Sequence, residues 1–220
     1  MDKKELIKKI QKIVKKKLKG ESSGHGYWHC YRVVQNALFI GKKEKADLKI
    51  LELSAWLHDI SIKKGRKNHE IRSAKQAEKI LTKLKIPPEL IAKVVKCIKN
   101  HRFSTGKAET LEEKILQDAD KLDVMGAIGI ARIFAFAGRY KRKFHDGKIK
   151  SDTSAYKKTG YSRTIIEHFY DKIFLLPKLL HTKSAQKMGR ERIRFARQFV
   201  KRFLQEWKGK KYKRRYVKKR

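Results

Sequence analysis

The stretch Leu53-Ser54-Ala55-Trp56-Leu57-His58-Asp59-Ile60 decides the fold, because an apolar helical run ends there in a histidine and an aspartate. Neutral imidazole and carboxylate are ligand types that suit divalent first-row metals. A single pair of this kind is weak evidence, since two such residues are often adjacent by chance. Its position at the polar end of a segment suited to burial makes a metal site worth testing against the rest of the chain.

The composition indicates one folded, all-α domain. The 220 residues are enough for one full-sized hydrophobic core, and 10% aromatic residues argue against a disordered chain. Only 13 glycines and 3 prolines leave long uninterrupted segments, which favour helices. No segment alternates persuasively between apolar and polar residues, and no internal repeat is present. The fold class is therefore predicted to be an all-α helical bundle with a metal site between helices.

The formal net charge of +37 is extreme and attracts polyanions over a Debye length of about 8 Å at physiological salt. Nucleic acid, ribosomes and anionic substrates are the partners that this charge suggests. The alternative is a lysine-rich proteome bias, such as that of a thermophile. Thermophilic proteins usually gain glutamate together with lysine, whereas Asp and Glu number only 22 here.

Two cysteines, Cys30 and Cys97, form no CxxC motif and no disulfide framework, as expected in a reducing cytoplasm. No apolar run reaches the roughly 18 residues of a membrane span. The lysine-rich N-terminus lacks the apolar core of a secretory signal. A cytoplasmic protein without a membrane span is therefore expected.

Three regions are predicted. Residues 1–20 form a basic amphipathic helix, either a docking helix or a membrane-surface helix. Residues 21–207 form the main domain. Residues 208–220 form a basic tail, with nine Lys or Arg and no acid, expected to be disordered alone.

Helical periodicity extends through most of the main domain. A helix beginning at Leu111 carries an aspartate cluster and either continues or restarts through the apolar run to Arg139. Residues 139–163 lack periodicity and form either a surface loop or a lid. The remaining helices are predicted at 27–40 (closed by Gly41), 46–57, 70–84, 88–100, 162–176 and 184–207.

A metal site assembled from several helices needs ligands at helix ends or on inner faces. His29, His58, Asp59 and one aspartate of the 118–123 cluster supply two nitrogens and two oxygens. Mn²⁺, Fe²⁺, Co²⁺, Ni²⁺ or Mg²⁺ would keep open positions for water and substrate on such a set, and metal-bound water becomes a nucleophile near neutral pH. Asp118 and Asp120 lie about 200° apart on a helix, so only one can point at the site. Asp120 is the first choice and Asp118 the alternative.

Several motifs in this order resemble the HD superfamily of metal-dependent phosphohydrolases, in particular its small bacterial and archaeal hydrolases. The resemblance spans roughly residues 20–207. It is carried by His29-x-x-Arg32-Val33, Leu57-His58-Asp59, His69, His101, Gln117-Asp118-Ala119-Asp120-Lys121-Leu122-Asp123, Gly126-Ala127-Ile128-Gly129-Ile130-Ala131-Arg132, His168-Phe169-Tyr170-Asp171-Lys172 and Leu180-His181-Thr182-Lys183-Ser184-Ala185.

The resemblance implies a helical HD fold and a divalent metal, with one ion expected and two conceivable. It implies His29, His58, Asp59 and Asp120 as metal ligands. His69 and His101 match positions near the metal, which bind a second metal in some members and contact substrate phosphate in others; both are therefore candidate catalytic residues.

The chain departs from the family pattern at two places. Gly26 follows His25 where an aspartate is common, which puts any role of His25 in doubt. No acid follows Asp59 at the position where some nucleotide-cleaving members carry a catalytic carboxylate; Lys63, Lys64 and Arg66 stand there instead. A mechanism that uses a glutamate base at that position is therefore disfavoured.

Hydrolysis of a phosphate ester or anhydride needs positive groups that face the phosphoryl oxygens. The lysine-rich loop at 63–67 is either a phosphate clamp or a solvated loop. The substrate-binding candidates are Arg32, Lys64, Arg66, Lys121 and Lys172.

Three hypotheses follow. The first is a metal-dependent phosphohydrolase in which metal-bound hydroxide attacks a nucleotide or another small phosphorylated metabolite, assisted by His69 or His101. The second is a protein that binds nucleic acid through its basic ends, and deleting 208–220 tests it. The third is a di-iron oxygenase on the same fold, which requires two metals per chain.

Overall fold

The computed structural model describes residues 2–21, 24–102 and 106–210, and 72% of these residues are helical. The described residues contain no β-strand, which confirms the all-α fold class. Of the predicted tail, residues 208–220, the last ten (211–220) lie outside the described residues. The α-helices are α1 (Lys3–Lys17), α2 (Tyr27–Glu44), α3 (Leu48–Leu57), α4 (His69–Lys83), α5 (Pro88–Asn100), α6 (Leu111–Leu122), α7 (Gly126–Arg139), α8 (Thr153–Thr159), α9 (Ile165–Asp171) and α10 (Lys183–Trp207), with 3₁₀ segments at Ile62–Lys64 and Ile173–Leu179.

Helix α2 runs one turn past the end predicted for it. It continues through Gly41 to Glu44 and ends at Lys45, which adopts a left-handed conformation with φ 59°. Gly41 is a packing position, because a Cβ there would lie 2.4 Å from Leu51 Cδ1 of helix α3. The glycine therefore permits close contact between the two helices that carry His29 and His58, and does not end α2.

The helix predicted from Leu111 stops at Leu122, and a second helix restarts at Gly126, whose φ is 70°. This break places Asp123 at the C-terminal cap of α6. Helix α7 is only partly buried; Ile128, for example, is 47% exposed.

Part of the region 139–163, predicted to be irregular, forms the short helix α8. The segment before α8 is held by α9: the Lys150 backbone N–H donates to Glu167 at 2.7 Å, and the Ser151 hydroxyl donates to Asp171 at 2.6 Å. The helix predicted over 162–176 divides into α9 and the 3₁₀ segment at 173–179, which contains Pro177.

One continuous core joins the helices. Helix α1 buries Leu6, Ile10 and Val14 and contacts α3, as the docking-helix interpretation expects. Within the described ranges, no helix combines the length and apolar character that a membrane crossing requires.

Candidate metal centre

The predicted metal ligands and catalytic histidines come from five helices, and most lie at helix ends. His29 is in the first turn of α2, and His58 caps the C-terminus of α3, with Asp59 directly after it. His69 is the first residue of α4, and His101 caps the C-terminus of α5. Side chains at helix ends can converge because the helix axes there point at a common region, and α6 adds Asp120 from its last turn.

One donor group consists of His29, His58 and Asp59, whose ligand atoms lie within 4.8 Å of one another. His29 Nε2 is 3.2 Å from His58 Nε2 and 3.5 Å from Asp59 Oδ2. Asp120 Oδ1 joins this group at 3.3 Å from His29 Nε2. The structure therefore brings together the four residues expected to hold a metal.

A second donor group consists of Asp59, His69 and His101. His69 Nε2 lies 3.2 Å from His101 Nε2 and 3.2 Å from Asp59 Oδ1. The two oxygens of the Asp59 carboxylate thus face different groups, Oδ2 towards His29 and Oδ1 towards His69. Asp59 has the geometry of a bridging ligand.

The hydrogen bonds of the rings fix which nitrogen is free. The Nδ1 atoms of His58, His69 and His101 donate to the carbonyls of Ala55, Arg66 and Ile98 at 2.7–2.8 Å. A carbonyl only accepts, so Nδ1 carries the proton and the neutral ring presents a lone pair at Nε2. This arrangement is typical of histidines that bind metal through Nε2.

The residues fit a divalent cation. The Asp59 carboxylate is buried, and its Oδ1 accepts no hydrogen bond from any described residue. Neutral His69 and His101 would direct their Nε2 lone pairs at each other across 3.2 Å. A buried carboxylate oxygen and converging lone pairs are unfavourable unless a cation lies between them.

The charges of the centre suit cation binding. Burial raises the pKa of Asp59, but the surrounding imidazoles of His58, His101 and His29 outweigh it, so this pKa lies well below its ordinary value. Burial lowers the pKa of His58 to about 4. At neutral pH, Asp59 is therefore ionised and His58 is neutral, which are the forms that bind a metal. Burial lowers the pKa of His29, but hydrogen bonds to its aspartate partners raise it to about 10, so His29 releases a proton when a metal binds.

Asp123 was not among the predicted site residues, yet it holds His29 in place. Its Oδ2 accepts from His29 Nδ1 at 2.7 Å, and its two oxygens accept from Arg32 at 2.6 and 2.9 Å. Arg132 donates to it at 2.5 Å. The three-residue spacing of Asp120 and Asp123, which puts them on neighbouring helix faces, was the available signal.

Asp123→Asn is expected to weaken metal binding at the His29 group about 10- to 100-fold, because the carboxylate that orients the imidazole and raises its basicity is lost. Calorimetric titration with Mn²⁺ measures this affinity. Binding at the His69 group serves as the internal control and should change little. An equal loss at both groups would indicate general damage to the fold and contradict the positioning role.

The structure gives Arg32 and Lys121 other partners. Arg32 pairs with Asp123 as described. The Lys121 ammonium donates to the Leu179 carbonyl at 2.9 Å and lies 3.8 Å from Asp118 Oδ1. Burial lowers the pKa of Lys121 to about 8 against the charge of Asp118. Both cations thus serve contacts within the protein, which weakens their case as phosphate ligands.

The other candidate cations divide by exposure. Lys64 is the last residue of the 3₁₀ segment at 62–64 and is exposed. The structure describes no contact between it and the donor groups. Lys172 is half-buried after α9; burial and then the charge of Arg66 lower its pKa, whereas Asp120 raises it. Of the candidate cations, Lys172 is therefore one that feels the charge of Asp120 in the first donor group.

Asp118, the alternative ligand, serves another purpose. It is fully buried and accepts from the backbone N–H groups of His181 and Thr182 and from the Thr182 hydroxyl, all at 2.9 Å. It therefore fixes the start of α10 and points away from the donor groups, which favours Asp120.

His25 lies at the edge of the site. Its ring centroid is 5.4 Å from that of His29, and burial lowers the pKa of His25 to about 4. The His168 ring lies 5.5 Å from the Tyr156 ring, so α8 of the 139–163 region packs against α9.

Comparisons with known proteins agree with this arrangement. Residues 26–125 match the HD domain family. The chain is 36% identical over 197 residues to YpgQ, an uncharacterized protein of Bacillus subtilis (strain 168), covering 87% of this chain and 89% of that protein. It is 31% identical to the crystal structure of an HD-superfamily hydrolase from Bacillus thuringiensis, with a TM-score of 0.76 over 95% of this chain and all of that one.

A crystal structure of B. subtilis YpgQ in complex with ADP is 30% identical, with a TM-score of 0.71, and covers 91% of this chain and 97% of that chain. The helical fold, the two donor groups and the sequence similarity over most of the chain all indicate the same family. The protein belongs to the HD-domain superfamily of hydrolases.

Proposed function

We propose that this protein is a divalent-metal-dependent phosphohydrolase that cleaves a phosphate ester or anhydride of a nucleotide. The observation that carries the proposal is the Asp59 carboxylate, which presents one oxygen to His29 and His58 and the other to His69 and His101. A pair of cations that share one carboxylate ligand is a common arrangement for binding a phosphoryl group during its transfer.

We propose that the centre holds two ions, whereas the sequence favoured one. His29, His58, Asp59 and Asp120 would hold the first, and His69 and His101 with Asp59 the second. His69 and His101 then act as ligands, not as proton-transfer groups. Bound cations would polarise a phosphoryl oxygen and lower the pKa of a coordinated water towards neutrality.

Positive side chains on one side of the centre suit an anionic substrate. Lys172 and Arg66 feel each other's charge, and Lys172 also feels that of Asp120, a proposed ligand of the centre. We propose that they neutralise the phosphates of the substrate and orient the reacting phosphorus towards the centre. Lys172 is half-buried and therefore loses little freedom when it binds phosphate.

A nucleotide is the proposed substrate class because YpgQ, a relative over nearly the whole chain, has been crystallised with ADP. The net charge of +37 also suits polyphosphorylated substrates. Mn²⁺, Fe²⁺, Co²⁺, Ni²⁺ and Mg²⁺ all accept the imidazole and carboxylate donors to some degree, and Mn²⁺ and Co²⁺ accept both well.

The experiment is elemental analysis of the purified protein, followed by assays of the metal-reconstituted enzyme on nucleoside mono-, di- and triphosphates and on a phosphomonoester. The released phosphate or pyrophosphate identifies the bond that is cleaved. Two ions per chain and metal-dependent release from a nucleotide are expected. Hydrolysis of none of these substrates, with two ions bound, would overturn the proposal.

A further assay addresses the di-iron oxygenase hypothesis. Because the donor set can accept two ions, metal count no longer separates an oxygenase from a hydrolase. Oxygen consumption does: an oxygenase consumes O₂ with an organic substrate, whereas the proposed hydrolase releases phosphate equally well without oxygen.

A further inference from the structure

Helix α10 carries a line of cations along one side. They recur at intervals of three, four and seven residues, which places them within an arc of about 60° at 100° per residue. All five are exposed. This basic stripe consists of Arg190, Arg194, Arg197, Lys201 and Lys208.

The stripe borders two adjoining grooves of about 450 and 670 Å³, which share Phe174 and Arg197. Lys178 and Lys210 add two more positive charges to the walls. Among the described residues, no carboxylate lines either groove, and no member of the stripe forms an ion pair. The acids of α10, Glu191 and Glu206, lie at least 60° outside the arc.

The opposite side of α10 attaches it to the core. Arg192 donates to the Leu122 carbonyl at 2.7 Å and to Asn36 Oδ1 at 2.9 Å. Since residue 192 lies about 200° from residue 190, the stripe faces away from α2 and α6, which carry His29 and Asp120. The stripe is thus a surface separate from the metal centre.

We propose that the basic stripe binds the phosphate backbone of nucleic acid without sequence preference. From Arg190 to Lys208 the stripe spans about 27 Å at 1.5 Å per residue, room for several successive phosphates. Three of its members are arginines, whose guanidinium can hold phosphate oxygens through two hydrogen bonds. The adjoining residues 211–220 add seven Lys or Arg and no acid in sequence.

A membrane surface fits the stripe less well. Membrane-surface helices combine basic residues with an apolar face that enters the lipid. The apolar side of α10 is buried in the protein through Ile193, Ala196 and Val200. A basic stripe that borders two grooves fits a nucleic-acid strand better than a flat bilayer.

The test compares two full-length triple variants with identical spacing and identical charge change. R190Q/R194Q/R197Q removes part of the stripe, and K8Q/K12Q/K15Q removes three exposed lysines from α1. Binding to labelled RNA, both single-stranded and duplex, is measured over a range of salt concentrations by fluorescence anisotropy. Anionic phosphatidylserine vesicles provide a second probe, and thermal unfolding confirms that each variant is folded.

The stripe variant is expected to lose about 10- to 100-fold in RNA affinity at low salt, with a salt dependence shallower by about 2–3 in log–log slope. The α1 variant should lose far less. Equal losses in the two variants would show a net-charge effect and overturn the proposal, as would unchanged RNA binding. Loss of vesicle binding alone would assign the stripe to membranes instead. Nucleotide hydrolysis should be unchanged in both variants.

Discussion

Asp59→Asn is expected to remove both metal ions and to lower phosphohydrolase activity by at least about 10³-fold, or roughly 4 kcal/mol in activation free energy. Asp59 is the one residue that belongs to both donor groups. Asparagine keeps the shape of the side chain but replaces one anionic oxygen with an NH₂ group, which cannot ligate a cation. Neither group then retains the charge that a divalent ion requires.

Metal content and activity of the purified variant measure this effect. His101→Ala is the matched comparison, because it removes a donor from the second group alone and should leave one ion per chain. Asp47→Asn, at the exposed cap of α3, controls for the loss of a carboxylate far from the centre. An Asp59→Asn protein that keeps one tightly bound ion would contradict the bridging role.

Asp118→Ala is expected to destabilise the fold by about 3–5 kcal/mol while leaving the donor groups intact. The substitution leaves two buried backbone N–H groups, of His181 and Thr182, and the Thr182 hydroxyl without their acceptor. For a chain of this size the loss corresponds to a fall in Tm of roughly 10 °C. Calorimetry measures it directly.

Asp47→Ala is the control for an ordinary helix cap. Asp47 is exposed and accepts from Lys49 and Ile50 at the start of α3, so its loss should cost about 1 kcal/mol. The Asp118→Ala protein should still bind metal at low temperature. Loss of metal without loss of stability would reverse the roles given to Asp118 and Asp120.

The expected effects separate two kinds of buried aspartate. Asp59 is held among imidazoles that keep it ionised, and its oxygens converge with their Nε2 atoms on the space a cation would occupy, so it contributes more to function than to stability. Asp118 is held among N–H donors that satisfy it, so it contributes to stability. Asp59 and Asp118 thus differ in role, one in function and the other in stability, because their hydrogen-bonding partners differ.

The sequence predicted much of this arrangement. Helical periodicity and the scarcity of glycine and proline determined the all-α fold, because an apolar stripe at 3.6-residue spacing can be buried only by a helix. The order of histidines and aspartates, together with the resemblance to HD proteins, pointed to His29, His58, Asp59 and Asp120. Helix ends were less certain: Gly41 suggested a stop, but its role is to admit Leu51.

The tertiary structure decided what depends on atoms distant in the chain. His29 and Asp123 are 94 residues apart, and no local pattern says that one orients the other. The choice between Asp118 and Asp120 depended on where His181 lies, just before α10 and 63 residues beyond Asp118. The sequence by itself determined the helices and the histidines and aspartates that they carry, because helix periodicity is a local property of the chain. Only the packing of five helix ends decided that Asp59 lies between two groups of imidazoles, because that position depends on contacts between residues far apart in the chain.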